Sequence, residues 1–453
     1  MQNLAPNFKE LIGAIALIAD EKRASNPVMQ TRVRRYKITS VDQRPNGLVP
    51  SRFHIEEGVR LTWHKAEIAT FEELMHRSEY TDLIREFGNA FGDGEPARGV
   101  IGHAVQALIA DHFAGSVRNL PDFIAMLRKD VANEPVLAWS EIEIRGFELL
   151  VPNMDVSLDG ASFHFRQREI ADFEKEISDF GIQTHSLWDA PACVLKVEMP
   201  AQFPIDLQME AAKAEAALRL FSVCGCTFES QTFGAESVSR WFMGATGGGV
   251  KRAGPKFQLE PDQEENFKHF WRNCLNAIPA TFYNLEKRGE DFLKIAYDRY
   301  CDALFHVGRS EGKIAFAMMG LEAVFLRPNE KEGLKYSLSL RLAKSFSKIG
   351  LNFMEIRDHV RIGYNIRSTY VHGGHLSAND LAKFDGKSKP SIATLSWSLL
   401  NTLRISILLI ALTRIDKEKF LNLIEDSLLD GTKDAELDGN ISGVRHLLNP
   451  DGK

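Results

Sequence analysis

The sequence predicts an α+β protein, with an all-helical C-terminal bundle following an N-terminal mixed α/β region. Three observations carry that expectation. At 453 residues the chain exceeds one ordinary domain. Its apolar residues recur at helical spacing through the first 135 residues, shift toward a period of two over 136–262, and return to helical spacing from 263 onward. Its 44% hydrophobic and 26% charged residues match a water-soluble globular protein, with no internal repeat or low-complexity tract. Three regions follow: a mostly helical 1–135, a mixed strand and helix region over 136–262, and a helical 263–453.

The first region opens on a helix over 4–23. Its apolar run is preceded by Lys9-Glu10 and followed by Asp20-Glu-Lys-Arg23, so it lacks the basic start and small-residue cleavage site of a secretory signal. Next comes the basic run Thr31-Arg-Val-Arg-Arg-Tyr-Lys-Ile-Thr39, which reads as a solvated edge strand whose charges block further pairing. A patch for an RNA backbone is the alternative. Thr70-Phe-Glu-Glu73 has the form of a capping box and is expected to open a helix. Residues 99–113 and 121–131 are further helices.

In the second region Ser140-Glu-Ile-Glu-Ile144 alternates, as does 156–165, where Asp159-Gly160 supplies a hairpin turn. Strands are also expected over 192–199 and 226–233, with helices over 168–180 and 205–222. Thr246-Gly-Gly-Gly-Val-Lys-Arg-Ala-Gly254 lacks the spacing and strand-to-helix frame of a phosphate loop and reads as a flexible connection. The third region holds helices over 262–278, 291–307, 310–326, 331–348, 352–372, 392–414 and 417–429. Short Gly, Pro or Asn-bearing links join most of them, the pattern of an antiparallel bundle.

The formal charge of −6 argues against a generally basic, nucleic-acid-coating protein, but the charge is uneven. Residues 263–430 carry 24 Lys+Arg and 20 Asp+Glu, a balance of +4 against −10 elsewhere. Within them, 335–389 holds ten basic and four acidic residues, or +6. A partner that wants positive charge belongs to the C-terminal part. The five cysteines (Cys193, Cys224, Cys226, Cys274, Cys301) are odd in number and scattered, with no zinc spacing and no disulfide framework. The apolar run 405–412 falls well short of the about 20 residues a membrane span needs. A cytoplasmic protein with reduced thiols, without a membrane partner, is expected.

Chemistry concentrates in Arg361-Ile-Gly-Tyr-Asn-Ile-Arg-Ser-Thr-Tyr-Val-His-Gly-Gly374. On a helix turning about 100° per residue, Ile356, Val360, Gly363 and Val371 form an apolar stripe with Arg367 inside it. Arg361, Asn365, Ser368 and His372 form a polar stripe alongside. An Arg in apolar company needs an anionic partner or a ligand. His372, followed by two glycines, reads as a helix C-terminus. There the imidazole stands at the negative end of the helix dipole. Two other charges sit in apolar surroundings, Glu322 and Arg341. They are expected to pair with each other, the alternative being that Glu322 orients Arg367. His103 and His112, nine apart, point to opposite sides of one helix and cannot share a metal.

Gly320-Leu-Glu-Ala-Val-Phe-Leu326, Leu340-Arg-Leu-Ala343 and Tyr364-x-x-Arg367-Ser368-x-x-x-His372-Gly373 together resemble the HEPN superfamily, and within it the ApeA-like HEPN group of bacterial defence proteins. The resemblance covers about residues 285–430, and the first 260 residues resemble no family. It rests on the order of three blocks, since the bare Arg-x4-His spacing recurs at Arg98–His103. It implies a metal-independent endoribonuclease working as a homodimer, without cofactor, in anti-phage defence or as a toxin. His372 would be general acid or base, taking the RNA 2′-hydroxyl proton or protonating the leaving 5′-oxygen, with a second His372 in the complementary role. Arg367 would clamp the phosphate through two N–H donors. Ser368 would contact phosphate or orient His372. Glu322, Arg341 and Tyr364 would support the site, and Arg361 and Asn365 would touch RNA. The N-terminal region would receive an unidentified trigger. Two rival readings keep the fold: a catalytically inactive module that binds RNA or a nucleotide, and a structural dimerisation protein.

Overall fold

The structure, a computed structural model, describes residues 4–26, 29–44, 47–91, 95–169, 193–238, 244–246, 254–283, 291–374 and 391–448. The chain is α+β: among the described residues, fifteen α-helices accompany a six-stranded antiparallel sheet.

The first core gathers α1 (Leu4–Ser25), α2 (His64–Leu74), α3 (Ser78–Phe91), α4 (Glu95–Ala114) and α5 (Leu120–Ala132). Phe8, Leu11, Ile15 and Ile18 of α1, three or four apart, are buried in it. Thr70 lies inside α2 and does not open a helix. Its buried hydroxyl donates to the Ala66 carbonyl at 2.7 Å, one turn back. The capping-box signature misleads here because a threonine hydroxyl satisfies the carbonyl of residue i−4 as readily as a cap.

The basic run belongs to β1 (Met29–Arg44), which pairs antiparallel with β2 (Gly47–Thr62) in a two-stranded ribbon. The register sets Arg34 opposite Glu57 and Arg35 opposite Glu56. β2 escapes sequence reading because Pro50 and Gly58 interrupt its alternation.

The sheet runs in the order β5 (Asn153–Leu158), β6 (Ala161–Gln167), β7 (Cys193–Ala201), β3 (Val136–Arg145), β8 (Thr227–Ala235), β9 (Gly244–Thr246). Asp159 and Gly160, at φ 49° and 83°, make the tight turn expected between β5 and β6. Short β4 (Phe147–Leu149) and β10 (Phe257–Leu259) pair in parallel. α6 (Pro204–Phe221) and α7 (Glu264–Cys274) cover the sheet, and Phe147, Phe163, Phe165, Phe221, Phe267 and Trp271 pack ring on ring between them. The expected helix over 168–180 lies outside the described residues from 170 on, as does the glycine connection over 247–253.

The C-terminal helices are α8 (Phe292–Leu304), α9 (Ser310–Phe325), α10 (Leu334–Ser347), α11 (Phe353–Val371), α12 (Ile392–Thr413), α13 (Lys417–Asp426), α14 (Gly431–Ser442) and α15 (Arg445–Leu448). Asp291, Asn352, Ser391, Asp416 and Asp430 cap their helices by accepting backbone N–H groups. α9 lies at the centre, packed by α8, α11 and α12. α12 is, by length and composition, long and apolar enough to cross a membrane, which the run 405–412 alone does not indicate. Here it is a core strut with most of its surface buried. Its Arg404, also buried, donates to the carbonyls of Leu220 and Phe221 at 2.7 and 2.9 Å. Those are the last carbonyls of α6, otherwise orphaned, so this cation ties the bundle to the sheet layer. One apolar core therefore runs through sheet and bundle, from Val136 to Leu448.

Candidate active site

α11 carries the Arg-x4-His motif. Asn352 accepts from the N–H groups of Met354 and Glu355 at 2.9 and 3.2 Å and starts the helix. Ile356, Val360, Gly363 and Ile366 then face the core. A Cβ on Gly363 would lie 2.6 Å from Leu399 Cδ1 and 2.9 Å from Met318 Sδ, so glycine lets α9 and α12 close on α11. The helix ends at Val371 with His372 as its cap, as the glycine pair predicts. Gly373 turns to φ 74°, its N–H bonds the Tyr370 carbonyl at 3.0 Å, and the Gly374 N–H bonds that of Thr369 at 2.9 Å. This paired closure satisfies the last carbonyls. Val371 is 47% exposed and leaves the expected apolar stripe. Ile366, about 140° around the helix from Val371, is buried instead.

Arg367 points inward. Its Nη2 donates to Glu322 Oε2 of α9 at 3.0 Å, with 24% and 18% of the two side chains exposed. The pair rests on one hydrogen bond: Arg367 Nε and Glu322 Oε1 are buried with no partner among the described residues. Burial pushes the Glu322 carboxyl above the usual carboxylate range, and the Arg367 charge draws it partly back.

The expected pairing of Glu322 with Arg341 does not occur. Arg341 turns to the other side of α10 and spends its donors on Glu425, at 2.9 Å from Nε and 2.5 Å from Nη2, on Glu330 at 2.8 and 3.2 Å, and on the Phe325 carbonyl at 2.7 Å. Two carboxylates and a helix-terminal carbonyl outcompete a single carboxylate for a five-donor fork. Arg341 therefore holds α9, α10 and α13 together, away from the motif.

Of the other predicted residues, Arg361, Asn365 and His372 are exposed and Ser368 half-buried, all on the outer side of α11. Lys335 Nζ donates to Asn365 Oδ1 at 2.8 Å, adding a second cation to this face. Ser368 meets His372 through its carbonyl, which accepts the His372 N–H at 3.3 Å. Tyr364 is half-buried against the core. Arg98 and His103, the second spacing match, both lie in the first half of α4, with no helix end at the histidine. Among the described residues no group of three or more His, Cys, Asp or Glu could hold a metal ion.

Comparison of the chain with family models, with curated proteins and with solved structures finds no match in any of the three.

A cavity of about 300 Å³ lies at the same end of the bundle. His306, Gly308 and Arg309, just before α9, and Glu311 in its first turn line it against Ile366, Thr369 and Tyr370 of α11 and Gly374 beyond it. Sequence reading missed it, because its two halves are far apart in the chain. The local signal was His306-Val-Gly-Arg-Ser-Glu-Gly312, where two glycines follow a histidine by two and six residues.

Proposed function

We propose that this chain is a metal-independent endoribonuclease of HEPN type, a cytoplasmic homodimer that cuts RNA in anti-phage defence or as a toxin. The observation that supports it is the end of α11: an exposed His372 on a glycine-closed helix terminus, one and a half turns beyond an Arg367 oriented by Glu322. In this reading His372 takes the 2′-hydroxyl proton, a partner copy's His372 protonates the leaving 5′-oxygen, and arginine cations offset the charge that develops on phosphate. Products carry a 2′,3′-cyclic phosphate and a 5′-hydroxyl. The N-terminal region would hold the trigger-sensing surface.

The test is incubation of the full chain with total RNA in EDTA, comparing the wild type with His372→Ala. Cleavage lost only in the variant supports the reading. Activity that vanishes in EDTA and returns with magnesium, or survives in His372→Ala, overturns it. A second reading, an inactive RNA-binding or dimerisation module, draws on the Arg367–Glu322 pair, which already gives the motif arginine a counter-charge. Wild-type protein that retains RNA on a filter without cutting it would favour that reading.

A further inference from the structure

The geometry points to the cavity beside α11 as a seat for one nucleobase of single-stranded RNA. This assignment rests on the ribonuclease reading for its biological ligand, but the site stands on its own residues. Its walls suit a flat aromatic group. Ile366 is buried and forms an apolar floor, while Tyr370, 40% exposed, and His306 present rings from the two sides. Glu311 supplies a carboxylate and Thr369 a hydroxyl oxygen, both as acceptors for a base edge, the Thr369 proton being donated to the Asn365 carbonyl at 3.1 Å, and the exposed Arg309 stands at the rim where a phosphate would follow. A volume of about 300 Å³ is at the small end of ligand pockets, enough for a base and too little for a folded nucleic acid.

Two glycines leave the His306 ring the space it fills. A Cβ on Gly308 or on Gly312 would lie 2.3 Å from His306 Nε2, so only glycine at both positions admits the ring where it sits. Phe316 meets it edge to face at 5.5 Å. A ring already packed on one side loses less freedom on stacking, which suits His306 to a base platform.

The position gives the seat its use. Thr369, Tyr370 and Gly374 belong to the same closing turn that carries His372. A base held there fixes the register of the strand crossing the helix end. It would therefore select which phosphodiester reaches His372, and a preference for one base beside the cut follows.

The four nucleoside 5′-monophosphates, each added to the full-length protein, test this by ligand-observed NMR, with ribose 5-phosphate as the base-free control. At least one nucleotide should show its base protons closest to the protein, with no competition from ribose 5-phosphate. Tyr370→Ala, at an exposed position, should weaken that binding about tenfold, and Gly312→Ala, which pushes against the His306 ring, should weaken it as well. Equal competition by ribose 5-phosphate, or unchanged binding in Tyr370→Ala, overturns the assignment. The two ideas fail separately. RNA cleavage without any nucleotide binding removes the base seat and leaves the nuclease. Binding lost in Tyr370→Ala, in a protein that cuts no RNA, keeps the seat and removes the nuclease.

Discussion

Replacing Arg367 separates its structural part from its chemical one. Breaking a fully buried ion pair costs about 3–5 kcal/mol, and an exposed pair contributes about 0–1. Here roughly a fifth of each side chain is exposed, one hydrogen bond of 3.0 Å joins them, and Glu322 Oε1 has no partner among the described residues. Arg367→Ala should therefore cost about 2–3 kcal/mol, a fall of about 3–5 °C in Tm for a cooperative unit this large. The pH dependence follows from Glu322. Its carboxyl is already raised by burial, and without Arg367 it rises further, so the folded variant binds a proton the unfolded chain releases. The deficit should be largest at neutral pH and shrink as pH falls into the carboxylate range. Because each partner leaves a buried atom unpaired, Arg367→Met with Glu322→Leu should restore wild-type stability or exceed it. Thermal and urea denaturation of the four-member cycle, with RNA cleavage measured on the same samples, decides. A coupling below about 0.5 kcal/mol refutes the energetic argument. A stable double variant that cleaves RNA as the wild type does refutes any chemical role for Arg367.

Arg341→Met should cost about 2–3 kcal/mol, seen in denaturant titration, because Glu330 loses its guanidinium partner while Glu425 keeps Arg327. Both carboxyls are held below the usual range, Glu425 chiefly by its hydrogen bonds to Arg327 and then to Arg341, Glu330 by Arg341 against the opposing effect of burial, so the stability they add at neutral pH is lost as pH falls through their folded values. Arg341→Met should correspondingly flatten the acid limb of a Tm-against-pH curve. His359, buried and bonded to Ser398 Oγ at 2.9 Å, is held below the usual histidine range by burial. The unfolded chain therefore binds its proton first, stability drops as pH falls below about 6.5, and His359→Asn should remove that drop in the same melts. Gly373→Ala, at φ 74°, should cost about 1 kcal/mol and slow cleavage with it, since the closing turn places His372; unchanged stability would show that the turn is not strained.

The elements most legible in the sequence were those whose determinants are local. Asp159-Gly160 fixes a turn by the φ values its two residues tolerate, and Asn352 and Gly373-Gly374 bound α11 by satisfying its own terminal groups. Pairings were less legible. Glu322 and Arg341 looked complementary because each stands in apolar surroundings, yet Arg341 found Glu425, 84 residues away, and Arg367 took Glu322. Which of two cations reaches a carboxylate depends on helix packing that no local pattern encodes. The cavity between His306 and Tyr370 escaped notice for the same reason, since its two walls meet only in the fold, whereas the β1–β2 ribbon is local and its second strand is hidden by Pro50 and Gly58.

The direction of Arg367 changes how the motif would work. Five residues of helix turn through about 500°, so Arg367 and His372 stand about 140° apart. A phosphate within reach of His372 on the exposed side does not meet the Arg367 of the same chain, whose guanidinium is turned toward Glu322. What it meets on that side is the polar stripe: Ser368, then Asn365 with Lys335 bonded to it, then Arg361. From His372 to Arg361 this stripe runs about 16 Å along the helix axis, the length of a few nucleotides of single strand. Under the ribonuclease reading, Arg361 and Lys335 are then the cations that hold the strand, and Arg367 keeps α11 docked on α9 so that the stripe stays straight. Either Arg367 reaches phosphate only across a two-fold, from the partner copy, or its contribution to cleavage passes through the position of α11. The Arg367→Met, Glu322→Leu double variant tells these apart, because it keeps the helix docked while removing the guanidinium.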